Sequence, residues 1–236
     1  MKAFIAALLF AATFPLVAHA DELGSDGRLL NGMAPLYVPF PGTSSRSVRA
    51  DLTLPDRSAN KQWYSNWAMI VGTANGASHQ VFVQVGLIRR PGQYAGIRAF
   101  LAWQSAADTS IHYSELAPLA DATHLVELRE TASGFAAYID SRPVGPIIAM
   151  PFATAYAQIG PEVYAEGDAL AGTVRNVVVA SGSTIDRISG SNFCYYINHG
   201  VALAFSDGSY VATGTFSRNK PSRFAGDCTG ISSPRS

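Results

Sequence analysis

From Val48 onward the chain is a succession of short apolar runs broken by turn-forming residues. Asn75-Gly76, Arg90-Pro91-Gly92, Ser133-Gly134 and Glu166-Gly167-Asp168 supply breaks, and such residues interrupt strands for defined backbone reasons. No segment sustains a helical period, although Ser114–Ala120 has room for one helical turn. Strands are expected at Val48–Leu54, Trp67–Gly72, Gln80–Ile88, Ile97–Trp103, His124–Glu130, Phe135–Ile139, Tyr156–Tyr164 and Thr173–Ala180. Many short strands with little helix predict an all-β fold, an antiparallel β-sandwich or jelly roll.

Two of these runs carry unusual polarity. In Val81-Phe82-Val83-Gln84-Val85-Gly86-Leu87, alternation puts Phe82 and Gln84 on one face and the valines and leucine on the other. In Tyr156-Ala157-Gln158-Ile159-Gly160-Pro161-Glu162-Val163-Tyr164, the residues Tyr156, Gln158, Glu162 and Tyr164 share a face. An amide, a carboxyl and aromatics on one β-face are costly in a core and useful in a site. A carboxylate there takes a proton from water and returns it to a leaving group. An amide facing it donates to the oxyanion that forms on an attacked carbonyl. The same residues also suit an ordinary solvated sheet face.

The first residues read as a secretory signal. Lys2 is the charge, Phe4 to Val17 the apolar stretch, and Ala18-His19-Ala20 a small-x-small cleavage site. Cleavage after Ala20 leaves an exported chain starting at Asp21, with no later apolar run long enough for a membrane span. It is expected in the periplasm or outside the cell. Lys plus Arg and Asp plus Glu balance at 17 each, and only 14% of residues are charged, which argues against nucleic acid or an anionic membrane surface as partner. The only cysteines, Cys194 and Cys228, are expected to form one disulfide in an oxidising compartment. The histidines are scattered without ligand spacing, so neither a metal site nor a cofactor is expected.

Residues 1–20 are thus read as signal peptide and 21–47 as an extended arm rich in Gly, Pro and Ser. Residues 48–182 form the sandwich, and 183–236 a small C-terminal β-unit. In that last unit Phe193–Ile197, Val201–Phe205 and Tyr210–Phe216 suggest a three-stranded meander stapled by Cys194–Cys228.

No HExxH, GxSxG, P-loop or strand-following GxGxxG occurs, so zinc peptidase, serine hydrolase and nucleotide chemistry lose their usual support. Four segments instead carry a resemblance: Trp67-Ala-Met-Ile-Val-Gly72, Phe82-Val-Gln84-Val-Gly86-Leu87, Ala99-Phe100-Leu101-Ala102-Trp103 and Ala157-Gln-Ile-Gly-Pro-Glu162-Val163. Together they resemble the glutamic peptidases of the eqolisin family. Order and approximate spacing follow that family from Trp67 to about Ala180. The resemblance implies a concanavalin-like β-sandwich, with Gln84 at the catalytic glutamine and Glu162 at the catalytic glutamate. Val71 stands where the family carries Asp, and Arg98 and Ala102 where it carries acidic residues.

The resemblance implies a secreted, acid-active endopeptidase acting on protein or peptide. Glu162 is then general acid and base, and Gln84 the oxyanion stabiliser. A second reading is a non-catalytic module of the cell envelope that binds peptide or glycan through Trp67, Phe100, Tyr156 and Tyr164. A third is a structural or inhibitor protein without pocket chemistry. Trp67 and Phe100 equally suit a core. Glu166-Gly167-Asp168 reads as a turn, and His79 and His124 as surface strand caps.

Overall fold

The computed structural model describes residues 35–54, 64–73, 81–89, 96–108, 110–151, 153–163, 166–167, 169–190 and 193–228. The expected signal segment, residues 1–20, and residues 21–34 of the expected arm lie outside these residues. The described chain is all-β: β1 Leu36–Pro39, β2 Arg46–Thr53, β3 Tyr64–Thr73, β4 Val81–Arg89, β5 Ile97–Gln104, β6 His112–Leu119, β7 His124–Thr131 and β8 Gly134–Ile139. These are followed by β9 Arg142–Ile148, β10 Ala153–Val163, β11 Thr173–Ser181, β12 Thr184–Ile188, β13 Cys194–Ile197, β14 Val201–Ser206, β15 Ser209–Gly214 and β16 Arg223–Ala225. They form two antiparallel sheets. One has the order β16-β13-β1-β10-β3-β4-β5-β6, and the other β14-β15-β11-β2-β7-β8-β9 with β12 beside β11.

The main core lies between the sheets and follows the alternation of the strands. Val48, Ala50 and Leu52 of β2 and Val126 and Leu128 of β7 face Ile70 of β3, Val83 and Val85 of β4 and Leu101 of β5. Each is almost wholly buried, and a fully buried Val or Leu contributes about 1.5–3 kcal/mol. β4 departs from a half-buried pattern, because it is buried on both faces from Val81 to Ile88. The sheet that contains it therefore has a second packed face, away from the main core. There Tyr37, Trp67, Phe82, Ile88, Phe100, Cys194 and Tyr196 cluster.

Several elements differ from the sequence expectation. Leu36–Pro39, read within an extended arm, is a strand paired to both β10 and β13. Residues 114–119, read as a helical turn, belong to β6, which pairs with β5 from Ile97↔Leu119 to Trp103↔His112. Pairing along a neighbouring strand here overrides a local preference. β9 carries Pro143 and Pro146, which hide a strand from pattern reading. It survives because it is the last strand of its sheet, where a missing N–H breaks no ladder. β12, at the start of the expected C-terminal unit, pairs with β11 of the sandwich. The meander expected over Phe193–Phe216 is divided between the sheets. β14 and β15 form a hairpin beside β11, while β13 joins β1 and β16 in the other sheet. The Cys194–Cys228 disulfide is formed, across a sequence separation of 34.

Candidate functional site

The pairing registers align side chains into rows that cross the sheet of β4 and β10. One row runs from Cys194 of β13 to Tyr37 of β1 and Gln158 of β10. It continues through position 69 of β3 to Gln84 of β4, Ala102 of β5 and Tyr113 of β6. The next row holds Gly160, Trp67, Gly86, Phe100 and Glu115. The one beyond it holds Glu162, position 65, Ile88 and Arg98.

Gln84 and Glu162 therefore share a face, and both are buried, at 3% and 2% exposure. They do not share a row. Glu162 lies four positions along β10 from Gln158, the residue that does stand in line with Gln84. With strands about 4.8 Å apart and a rise of about 3.3 Å per residue, the Cα atoms of Gln84 and Gln158 are roughly 10 Å apart. Those of Gln84 and Glu162 are on the order of 16 Å apart. The register brings two amides together and sets the carboxyl two rows away.

Gln158 is the residue that sequence reading placed on the correct face without giving it a role. Its side chain hydrogen-bonds to the Tyr156 hydroxyl, while its Oε1 is buried with no partner. In the neighbouring row Trp67 is wholly buried, and its Nε1–H also has no partner. One orphan acceptor and one orphan donor thus stand on diagonal neighbours of adjacent strands. Buried polar groups without partners are uncommon and call for an explanation. Two of opposite kind on one face suit a ligand that carries both an N–H and a C=O.

Aromatic rings border the row. Tyr37 and Tyr156 have ring centroids 5.3 Å apart, and Phe100 stacks on Tyr113 at 5.6 Å. Burial pushes the Tyr37 phenol well above its ordinary range, and the charges of Tyr156 and Tyr196 push the same way. Burial also raises Tyr156, partly offset by its bond from Gln158. These phenols stay neutral donors and acceptors. Tyr37, Tyr113 and Tyr196 went unnoticed in the sequence. The Leu36-Tyr37-Val38 alternation inside the proline-rich arm was the available signal for the first.

Phe100 reaches over β4 because Gly86 has no side chain. A Cβ at Gly86 would lie 2.6 Å from the Phe100 ring and 2.3 Å from the Asn66 carbonyl oxygen. On the β5–β6 side, the acidic group nearest the amide row by register is Glu115. It is engaged by Arg98, Nε to Oε2 at 3.6 Å, and by the Tyr113 hydroxyl at 3.4 Å. The opposite end is covered by Phe224, whose ring lies 5.2 Å from that of Tyr37 and 5.0 Å from that of Tyr196.

Of the expected binding residues, Trp67, Phe100 and Tyr156 line this face, and Tyr164 lies outside the described residues. His79 and Asp168 also lie outside them. His124 is not a surface cap. It is 5% exposed, with Nδ1 2.8 Å from Asp140 Oδ2 and Nε2 2.9 Å from the Ala120 carbonyl oxygen. Glu166 lies in the expected turn and accepts a hydrogen bond from the Arg218 N–H at 2.9 Å.

No protein-family model matches the sequence, and a search of curated proteins finds no match. Solved structures do match. Scytalido-glutamic peptidase with a peptide-based transition state analog aligns over 78% of this chain and 98% of its own, at 10% identity and a TM-score of 0.51. SCP-B, a member of the eqolisin family of peptidases in complex with the tripeptide Ala-Ile-His, aligns over the same shares, at 10% identity and a TM-score of 0.50. The chain is similar in fold to the eqolisin glutamic peptidases, as a partial and divergent match.

Proposed function

We propose that this chain is a peptide-binding module built on the glutamic-peptidase fold, holding an extended segment across the Gln84–Gln158 row without cleaving it. The observation that carries this reading is the pair of orphan groups, Gln158 Oε1 and Trp67 Nε1. A peptide backbone offers an N–H to the first and a C=O to the second. The peptide ligands of the two structural neighbours support the same choice. Hydrolysis needs a carboxyl beside the oxyanion donor, within reach of one water. In line with Gln84 the chain has an amide instead. Gln84, Gln158 and Trp67 are at most 3% exposed, so the ligand replaces chain that now lies over them. The disulfide and the N-terminal apolar stretch support action outside the cytoplasm.

A second reading keeps the peptidase, with Glu162 as acid and base and Gln84 as oxyanion donor. It draws on the burial of Glu162 on the amide face and on the peptidase neighbours, and it requires the two rows to converge when substrate binds. Oxidised insulin B chain, titrated into the mature protein at pH 4 and pH 7, separates the readings. Calorimetry reports binding, and mass spectrometry reports cleavage. Binding that leaves the peptide intact, and that weakens in Gln158→Met, is the expected result. Cleavage lost in Glu162→Gln and in Gln84→Ala would instead establish the peptidase. Neither binding nor cleavage, with binding on a glycan array, would overturn both in favour of a glycan-binding module.

A further inference from the structure

The outward face of the sheet that holds β2 and β7 carries a charge pattern that the overall balance hides. The registers place Arg187 of β12, Val178 of β11, Arg49 of β2, Glu127 of β7 and Tyr138 of β8 in one row. The row on one side sets Arg129 in line with Ser47, and the row on the other sets Arg175 in line with Asp51. β2 turns Val48, Ala50 and Leu52 to the core and Ser47, Arg49, Asp51 and Thr53 away from it. These rows therefore face solvent, on a different sheet from the amide row.

The two signs of charge are not equally available. Arg49, Arg129, Arg175 and Arg187 are all exposed, whereas Asp51 and Glu127 are half-buried. Both acids are also engaged. Asn176 donates to Asp51 at 2.6 Å, and Arg129 donates to Glu127 from Nη2 at 2.8 Å and from Nε at 3.1 Å. Arg175 donates from Nε to the Ser209 hydroxyl, a neutral partner. Val178, between Arg187 and Arg49, is only 6% exposed although it faces outward. Long basic side chains produce this by laying their stems over an apolar neighbour and lifting their heads into water.

We propose that this face docks an acidic polysaccharide, one that carries carboxylates at intervals along its chain. Charge complementarity selects an anion, and the planar fork of arginine pairs with carboxylate through two bonds at once. Spacing selects a polymer. Arg187 and Arg49 are two strands apart, roughly 10 Å between Cα atoms, and Arg129 and Arg175 lie diagonally from Arg49 at about 8 Å. Four heads on such a lattice match an anion repeated along a chain. The flat face selects a sugar over a peptide. The backbone groups of β2 and β7 in these rows are taken up by ladders with β11 and β8 and with each other, and a peptide docks where an edge or groove answers its own backbone. Sugar hydroxyls ask only for side chains, which Ser47, Asn176 and Tyr138 supply. The surface does not depend on the peptide-binding reading.

The test is calorimetry on the intact mature protein with polygalacturonate, dextran, poly-L-glutamate and phosphatidylglycerol vesicles as probes. Polygalacturonate is expected to bind at low salt and to lose its affinity at about 1 M salt, where charge acts over only about 3 Å. Dextran should not bind. Arg49→Gln combined with Arg187→Gln should weaken polygalacturonate about tenfold or more, the span of one hydrogen bond to a charged group. Arg142→Gln combined with Arg223→Gln removes the same charge from exposed positions off these rows, and should leave the affinity within about twofold of the parent. Urea melts establish that both double variants fold. The proposal fails if polygalacturonate does not bind at low salt, or if the two double variants weaken it equally. Tighter binding of poly-L-glutamate or of the vesicles, lost in the Arg49 and Arg187 variant, would overturn the polysaccharide in favour of an acidic protein or a lipid surface.

Discussion

Gln84 and Gln158 stand in one row of the sheet, separated only by the β3 strand, and the second of them keeps a buried carbonyl oxygen without a donor. An unsatisfied buried acceptor costs about 1–3 kcal/mol. The peptide-binding reading assigns that cost to a ligand site.

Gln158→Met keeps the length of the side chain and removes the orphan acceptor. It also loses the bond to Tyr156, worth about 0.5–1.5 kcal/mol. The expected outcome is a variant as stable as the parent or up to about 2 kcal/mol more stable, with peptide affinity reduced about tenfold. Urea melts and calorimetry on the same preparation check both. A variant that loses stability and keeps affinity would make Gln158 a structural residue.

Gly86→Ala tests the close approach of Phe100. The added methyl meets both the ring and the Asn66 carbonyl oxygen. Overpacking of this sort costs about 1–3 kcal/mol. In a Phe100→Leu background the ring conflict disappears and the carbonyl conflict stays. Gly86→Ala should therefore still lower the urea midpoint there, by a smaller step. Equal steps in both backgrounds would assign the whole effect to the backbone of β3.

Glu130 and Arg46 give a defined pH dependence. Arg46 donates from Nε to Glu130 Oε2 at 2.9 Å and from Nη2 to Oε1 at 2.6 Å, and its backbone N–H adds a third bond at 3.0 Å. The side-chain bonds from Arg46 hold the Glu130 carboxyl below its ordinary range, against the opposing effect of burial. A carboxyl depressed in the folded state adds stability above its unfolded pKa, about 4.3. That stability is lost as pH falls through the folded value. Glu130→Gln should melt below the parent at pH 7, and the gap should shrink as pH drops under about 4. A gap that stays constant to pH 2 would remove ionisation from the explanation.

Much of the fold was legible because burial on one face writes a period of two into the chain. β2 and β7 show it directly, and these strands together with β4, β5 and β11 each fall within a residue or two of their expected places. The strands that escaped notice lack it. β1 lies between prolines, β6 is buried on neither face, and β9 and β12 are edge strands with mostly exposed residues. The site was half legible. Alternation correctly grouped Gln84 with Phe82, and Gln158 with Glu162 and Tyr156. What alternation cannot supply is register, which depends on how far one strand slides past another. Register sets Gln158 in line with Gln84 and displaces Glu162.

The disulfide bears on access to the amide row as well as on stability. Cys194 ends that row, and its partner Cys228 follows β16, the strand whose Phe224 covers Tyr37 and Tyr196. Between them Gly226 takes a φ of 79°, and a Cβ there would lie 1.9 Å from the Phe193 carbonyl oxygen, so the chain is held tightly against the start of β13. A bridge closing a loop of this length stabilises by about 3–4 kcal/mol through the unfolded state. Cys194→Ser with Cys228→Ser should lower the urea midpoint accordingly. If Phe224 and its strand also limit entry, the same variant should bind the insulin B chain with a faster association rate, measured by stopped flow well below the melting temperature. Lower stability with an unchanged association rate would confine the bridge to a structural role and leave the way into the row elsewhere.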